Sequence, residues 1–144
     1  MEKAIQFWFH GFARGLDSLE ESQRQTLLAQ CSKACLQRGD LPPYRSLYEQ
    51  AEGDCNRFFE KLNEVDGVDS EMMVPNRQYC LYFKQCTCPL VREGYLHTPH
   101  LCECSRQSIL ELPRSFWPER TVTVEACRTI LRGDEDCKFL ITMS

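Results

Sequence analysis

The sequence predicts an α+β fold in which N-terminal helices pack on a mostly antiparallel sheet that ends in a C-terminal β-hairpin. Three observations predict it: helical spacing of apolar residues as far as Leu62, turn-forming residues from Asn63 to Gln78, and β-prone segments beyond them. A chain of 144 residues can bury a core of its own. We therefore expect one domain over residues 1–144, with a helical half (1–62), a linker (63–78) and a cysteine-rich β/α half (79–144).

The helical half is predicted to contain three helices. The first reaches Leu16, the second begins at a capping box formed by Ser18–Glu21 and ends at Gly39, and the third runs from Pro42 to Leu62. Each helix has one apolar face, built at three- and four-residue steps. The residues expected to be buried on these faces are Ile5, Trp8, Phe9, Phe12, Leu16, Leu27, Leu28, Cys31, Cys35, Tyr44, Leu47, Tyr48, Ala51, Cys55, Phe58, Phe59 and Leu62.

The second half is predicted to contain strands and one short helix. Tyr79–Lys84 is β-prone, and Ser105–Leu112 reads as a helix stopped by Pro113. Thr121–Arg132 and Cys137–Thr142 are predicted strands, joined by a turn that contains glycine and acidic residues. This pair forms the expected C-terminal hairpin, and alternation places Cys137, Phe139 and Ile141 on its buried face.

Two close cysteine pairs are the main candidate site. Cys86 and Cys88 are followed, after a loop of thirteen residues, by Cys102 and Cys104. Four thiolates form a complete tetrahedral set for zinc, and an iron–sulfur cluster is the alternative. If the strand continues, Cys86 and Cys88 project from one face, whereas Cys102 and Cys104 precede a helix N-terminus, where the dipole favours thiolate. The pattern predicts metal binding by these four residues.

Further cysteines and two histidines are secondary candidates. His97 and His100 lie just before Cys102, so a mixed His/Cys site is an alternative. Cys31 and Cys35 are four residues apart and share a helix face; core packing is favoured for them, and a metal or redox pair is the alternative. The remaining cysteines are expected in the core: Cys55, Cys80, Cys127 and Cys137.

Composition narrows the class of protein. The net charge is −4 and the basic residues are scattered, which argues against nucleic-acid binding. The sequence contains no apolar run of signal-peptide or transmembrane type, so we expect a cytoplasmic protein with reduced thiols and no membrane partner. It also lacks hydrolase, phosphate-loop and dinucleotide motifs. The oligomeric state is left open.

The cysteine-rich half resembles a group of uncharacterised bacterial proteins. The resemblance rests on the two Cys-x-Cys pairs, on Val122–Glu125, and on Leu131–Asp134 leading to Cys137-Lys-Phe-Leu-Ile141. These proteins are similar to the L-2-amino-thiazoline-4-carboxylic acid hydrolase-like family and to the 4-vinyl reductase domain. The resemblance implies a compact α+β module that holds small molecules, with metal binding suspected at the paired cysteines.

These observations predict a zinc-binding and small-molecule-binding domain that acts as a sensor or carrier. One alternative is a hydrolase of a small cyclic amide or thiazoline, with Cys102 or Cys104 as nucleophile and a neighbouring histidine as base, or with the metal as Lewis acid. Another is a thiol redox protein that uses Cys31 with Cys35 or either close pair.

Overall fold

The computed structural model describes residues 2–36, 41–86 and 88–144. These residues form six α-helices and one four-stranded sheet, in chain order: α1 Glu2–Ser18, α2 Glu21–Cys35, α3 Leu41–Gln50, α4 Cys55–Lys61, β1 Val68–Val74, β2 Gln78–Phe83, α5 Pro89–Arg92, α6 Cys102–Phe116, β3 Val122–Arg128 and β4 Cys137–Met143. None of the helices in the described ranges is long and apolar enough to cross a membrane.

The sheet is antiparallel throughout, with strand order β1-β2-β4-β3. Ile141 of β4 lies opposite Tyr79 of β2 on one side and Val124 of β3 on the other. Burial alternates along β4, which places Cys137, Phe139 and Ile141 in the core as predicted. The predicted α+β class, with helices first and a C-terminal hairpin, is confirmed.

The core lies between this sheet and helices α4 and α6. The Phe59 and Tyr79 rings stack with their centroids 4.0 Å apart, and Phe58 packs edge-on against Phe116 and Trp117. The Trp117 indole Nε1 donates a hydrogen bond of 3.0 Å to the Gly53 carbonyl. An aromatic core of this kind fixes α6, and with it the cysteines in its first turn, against the sheet.

The first helix forms as predicted, but its aromatic face is only partly covered. Leu16 is buried, whereas Trp8 is 65% exposed and Ile5 is exposed as well. The predicted capping box also lies two residues further on. Glu20 and Gln23 form it, while the Ser18 hydroxyl donates to the Gly15 carbonyl. The predicted helix end at Gly39 lies outside the described residues.

The predicted burial of Cys31 and Cys35 is wrong. Helix α2 buries Leu28 and Ser32, and both cysteines are exposed. The Ser32 hydroxyl lies 2.7 Å from that of Ser108 on α6, so this serine marks the face on which the two helices meet. Among the four cysteines predicted in the core, Cys55, Cys80 and Cys137 are buried, but Cys127 is exposed.

Two predicted helices have other boundaries in the structure, and the predicted linker contains a strand. The third helix is two helices, because Glu52 and Gly53 adopt positive φ angles of 54° and 74° and turn the chain between α3 and α4. The predicted linker contains strand β1, which pairs with β2. The helix predicted from Ser105 begins at Cys102 and runs through Pro113 to Phe116.

Candidate functional site: two thiol groups and a polar cleft

Neither member of the first cysteine pair lies on a strand. Strand β2 ends at Phe83, and Cys88 precedes α5, where its carbonyl accepts the Arg92 amide at 3.0 Å. Burial raises the pKa of the Cys86 thiol, and a hydrogen bond from the Cys88 backbone partly offsets this effect. The condition that the strand continues to Cys88 is therefore not met, and the two side chains do not share a strand face.

The second pair lies within the first turn of α6. Successive residues of an α-helix are rotated by about 100°, so two residues that are two positions apart point to nearly opposite sides. Cys102 is buried, and the Thr129 side chain beside it partly offsets the effect of burial on its pKa. Cys104 has different neighbours. The structure therefore separates the members of this pair.

Cys104 lies in a group of thiols that includes the exposed pair of α2. The pKa of Cys104 is raised to about 12, chiefly by burial and to a smaller extent by the charges of Cys35, Cys88 and Cys31. We call Cys31, Cys35, Cys88 and Cys104 the α2 thiol group. Its members come from three segments of the chain and are related by their electrostatic influence on Cys104.

Cys102 belongs to a second group. Burial raises its pKa, and the Cys137 and Cys86 thiolates add to this effect. The Cys137 sulfur accepts the Ile130 amide at 3.3 Å. We call Cys86, Cys102 and Cys137 the sheet thiol group.

The four predicted zinc ligands are thus divided two and two between these groups. Within residues 2–36, 41–86 and 88–144, no three His, Cys, Asp or Glu side chains are placed so that they could bind one metal ion. The predicted zinc site at Cys86, Cys88, Cys102 and Cys104 stays a prediction.

The electrostatics of Cys102 and Cys104 differ from what the sequence indicates. A helix N-terminus should lower a thiol pKa, but burial is the largest influence on both residues and raises their pKa values. Both thiols are therefore held protonated at neutral pH. This state does not favour the hydrolase alternative, which needs one of them as a thiolate nucleophile.

The two candidate histidines, His97 and His100, differ in their contacts. His97 is exposed, and its ring makes no hydrogen bond, ion pair or ring contact with another described residue. His100 Nε2 is 4.0 Å from Asp17 Oδ1, and the Thr98 hydroxyl donates to the same oxygen at 2.6 Å. These contacts join the end of α1 to the segment before α6.

A cleft of about 460 Å³ opens beside Cys102. Its walls come from the first turns of α2 and α6 and from β3. Arg106 holds one wall in place, since it pairs with both Glu103 oxygens at 2.8 and 2.9 Å and donates to the Val124 carbonyl at 3.1 Å. The lining residues are Glu21, Arg24, Gln25, Pro99, His100, Cys102, Glu103, Arg106, Val124, Glu125, Ala126 and Arg132.

Sequence reasoning identified His100 and Cys102 but missed the charged residues of this cleft. Arg24, Arg106 and Arg132 come from three elements that are distant in sequence, and no spacing rule joins them. Their convergence depends on how α2 and α6 pack, which the sequence pattern does not specify.

Comparison with known proteins identifies the fold but no family. No family model and no curated protein match the sequence. An H-NOX protein from S. oneidensis in the Fe(II)NO ligation state aligns over 100% of this chain and 76% of its own, with TM-score 0.52 and 12% identity. An H-NOX domain from Shewanella oneidensis in the Fe(II)CO ligation state aligns over 99% and 75%, with TM-score 0.50 and 12% identity.

A third solved structure is a trafficking protein particle complex subunit 3 from Naegleria fowleri, covalently bound to palmitic acid. It aligns over 100% of this chain and 97% of its own, with TM-score 0.50 and 10% identity. The resemblance to thiazoline-carboxylate hydrolase-like proteins and to the 4-vinyl reductase domain gains no support from these comparisons. The chain therefore has an α+β fold similar to that of H-NOX domains and of this trafficking-complex subunit.

Proposed function

We propose that this protein is a small-molecule-binding domain that acts as a sensor or carrier. The three similar structures support this proposal, because each holds a small molecule: NO or CO in the H-NOX proteins and palmitic acid in the trafficking subunit. The observation that carries the proposal is the cleft between α2, α6 and β3, because its volume of about 460 Å³ falls within the range of ligand pockets.

The lining of the cleft indicates the chemistry of the ligand. Guanidinium groups of Arg24 and Arg132 can pair with an anionic group, while Glu21 and Glu125 can accept hydrogen bonds. Val124 and Ala126 supply an apolar floor from β3. A small polar molecule that carries a carboxylate or phosphate group suits this mixture better than a long acyl chain does.

Isothermal titration calorimetry with citrate, L-glutamate, inorganic phosphate and palmitate tests the proposal. Gln25→Trp places a large ring in the cleft, while Thr26→Trp places it on the adjacent exposed position of the same helix. We expect at least one polar probe to bind saturably to the parent and to Thr26→Trp, and at least about tenfold more weakly to Gln25→Trp, a difference of about 1.4 kcal/mol. Saturation by none of the probes, or equal binding by both variants, would count against a ligand site in the cleft.

We also propose that the protein binds zinc through cysteine thiolates. The number of thiols near α6 supports this, since Cys88 and Cys104 each lie close to further cysteines. The predicted set remains Cys86, Cys88, Cys102 and Cys104. Elemental analysis of protein purified under reducing conditions tests the proposal, and we expect one zinc per chain; a metal-free parent would contradict it.

A further inference from the structure

The strand order makes β1 and β3 the two edges of the sheet, and the structure covers these edges differently. On β1, the Asn63 side chain bonds both main-chain groups of Ser70. Its Oδ1 accepts the Ser70 amide at 2.8 Å, and its Nδ2 donates to the Ser70 carbonyl at 3.2 Å. The Asn63 amide group thus takes the place of a neighbouring strand, and the β1 edge is closed at this point.

The edge of β3 is covered on its carbonyl groups alone. Arg106 Nη1 donates to the Val124 carbonyl at 3.1 Å, and Arg132 Nη1 donates to the Ala126 carbonyl at 3.3 Å. In an antiparallel strand the N–H and C=O groups of one residue point to the same side. The amides of Val124 and Ala126 therefore point away from β4, as their carbonyls do.

The phase of the strand agrees with this direction. The Ser144 amide donates to the Thr121 carbonyl at 2.9 Å, so Thr121 faces the β4 side, and Val124, three residues further on, faces the other way. Within the described ranges, no acceptor outside the sheet bonds the amide of Val124 or of Ala126. Each carbonyl has a second lone pair. The β3 edge therefore offers two donors and two acceptors to an added strand.

The cleft borders this edge. Val124, Glu125 and Ala126 supply one wall, and α2 and α6 supply the opposite one. Three residues of extended chain span about 10 Å, and a cleft of about 460 Å³ has room for a segment of this length. Extended peptides bind to exposed sheet edges through main-chain hydrogen bonds, and their alternate side chains give specificity.

The arginines of the cleft indicate which side chains the peptide carries. Val124 belongs to the core beneath α6, so a peptide residue opposite Val124 directs its side chain to that side of the sheet. Arg24 donates to the Leu16 and Leu19 carbonyls, and Arg132 donates to a carbonyl of β3. Neither arginine forms an ion pair within the described part of the chain. Their charges are therefore available to carboxylates of a ligand.

The glutamates of the cleft do not cancel this charge. Glu103 pairs with Arg106 at 2.8 Å, so these two charges compensate each other. Glu125 alternates with Val124 along β3 and leaves the strand on its opposite face. Glu21 then remains as the single acidic residue against Arg24 and Arg132 among the described residues that line the cleft on the α6 side.

We infer that the edge of β3 binds a short acidic peptide in extended form, as a fifth strand of the sheet. This inference rests on the proposed function, because it names the class of ligand for the same cleft. Main-chain hydrogen bonds to Val124 and Ala126 hold the peptide. Carboxylates at alternate positions of the peptide pair with Arg24 and Arg132.

The peptide acetyl-Glu-Ala-Glu-amide is the probe, because its two glutamates stand at alternate positions. Two related peptides separate the main chain from the charge. The same peptide with a methyl group on both glutamate amide nitrogens cannot donate to the strand, and acetyl-Gln-Ala-Gln-amide carries no carboxylate.

Two proline variants test the edge itself. Ala126→Pro removes an outward N–H group of β3, and an edge strand accepts proline there because this group does not pair with β4. Met72→Pro removes the corresponding outward group of β1, two residues after Ser70, and is the matched control on the opposite edge.

Titration calorimetry of the full-length protein should show saturable binding of acetyl-Glu-Ala-Glu-amide to the parent and to Met72→Pro. Ala126→Pro, methylation of the peptide and replacement of its glutamates should each weaken binding by at least about tenfold, because each removes strand bonds or charge-assisted bonds. Circular dichroism verifies that both proline variants fold. The methylated peptide tests the main-chain pairing on the parent itself, independently of these variants.

Equal binding of the methylated and unmethylated peptides, or equal binding by Ala126→Pro and Met72→Pro, would overturn the inference. Binding of citrate, L-glutamate or inorganic phosphate without binding of the peptide would overturn it and leave the proposed function standing, whereas binding of no probe would overturn both. A parent dimer in sedimentation that Ala126→Pro converts to a monomer would show that a second copy of the chain occupies this edge, and would overturn the inference as well.

Discussion

The hydrogen bond between Ser32 and Ser108 should stabilise the contact of α2 with α6 in a measurable way. Ser32 is 1% exposed and its hydroxyl oxygen is 2.7 Å from that of Ser108, which is half-buried. Ser108→Ala leaves the buried Ser32 hydroxyl without this partner, which costs about 1–3 kcal/mol. Ser32→Ala leaves a hydroxyl that water can reach, so we expect a smaller loss of about 1 kcal/mol.

The assay is urea unfolding of the two single variants and of the double variant, followed by circular dichroism. The double variant removes both hydroxyls, so its loss of unfolding free energy should be smaller than the sum of the two single losses. The slope of the unfolding free energy against urea concentration should be the same in all variants, because the surface exposed on unfolding does not change. Ser115→Ala, at an exposed serine that bonds only to its own helix at Glu111, is the matched control. Strictly additive losses, or equal losses in the two single variants, would refute the reasoning.

Three further predictions follow from burial and charge. Phe58→Ala should lower the unfolding free energy by about 3–5 kcal/mol, since this ring is 1% exposed; a loss below 1 kcal/mol in urea unfolding would contradict the core assignment. Arg128 lowers the pKa of Asp136 below 3.8, so the stability from this pair is present above that pH and is lost as the pH falls through the lowered pKa. The stability advantage of the parent over Asp136→Asn in acid titration should therefore shrink only in that range, and a constant advantage down to pH 2 would disprove the pairing. Burial raises the pKa of the Cys80 thiol, so iodoacetamide at pH 8 should alkylate exposed Cys127 at least about tenfold faster; equal rates by peptide mapping would show that Cys80 is accessible.

The sequence predicts the class of this fold but not all of its elements. Strand β1 escapes prediction because it is an edge strand that buries Val68 alone, and its exposed positions do not alternate in polarity. The break between α3 and α4 is hidden because Ala51 and Cys55 are both buried and stand four residues apart. The helical spacing of apolar residues therefore continues across the turn at Glu52 and Gly53, although the chain is not helical there.

The candidate site is harder to predict, because it depends on the phase of two helices. Helix α6 begins at Cys102, three residues earlier than predicted. Cys102 and Cys104 are therefore helical residues whose side chains point in different directions, and not residues of the preceding loop. On α2, a polar residue, Ser32, takes the buried position that the apolar pattern assigns to its neighbour Cys31. Hydrophobicity does not report a partner hydroxyl on another helix, so the exposure of Cys31 could not be read from the sequence.

The position of β4 also has a consequence for synthesis of the protein. This strand bridges β2 and β3, yet a ribosome produces it after every other strand. Until β4 emerges, β1 and β2 form an isolated two-stranded ribbon and β3 has no strand to pair with. The edges of β2 and β3 that pair with β4 in the complete sheet therefore stay unpaired. Chaperone capture of the growing polypeptide should therefore persist until Cys137–Met143 has cleared the exit tunnel.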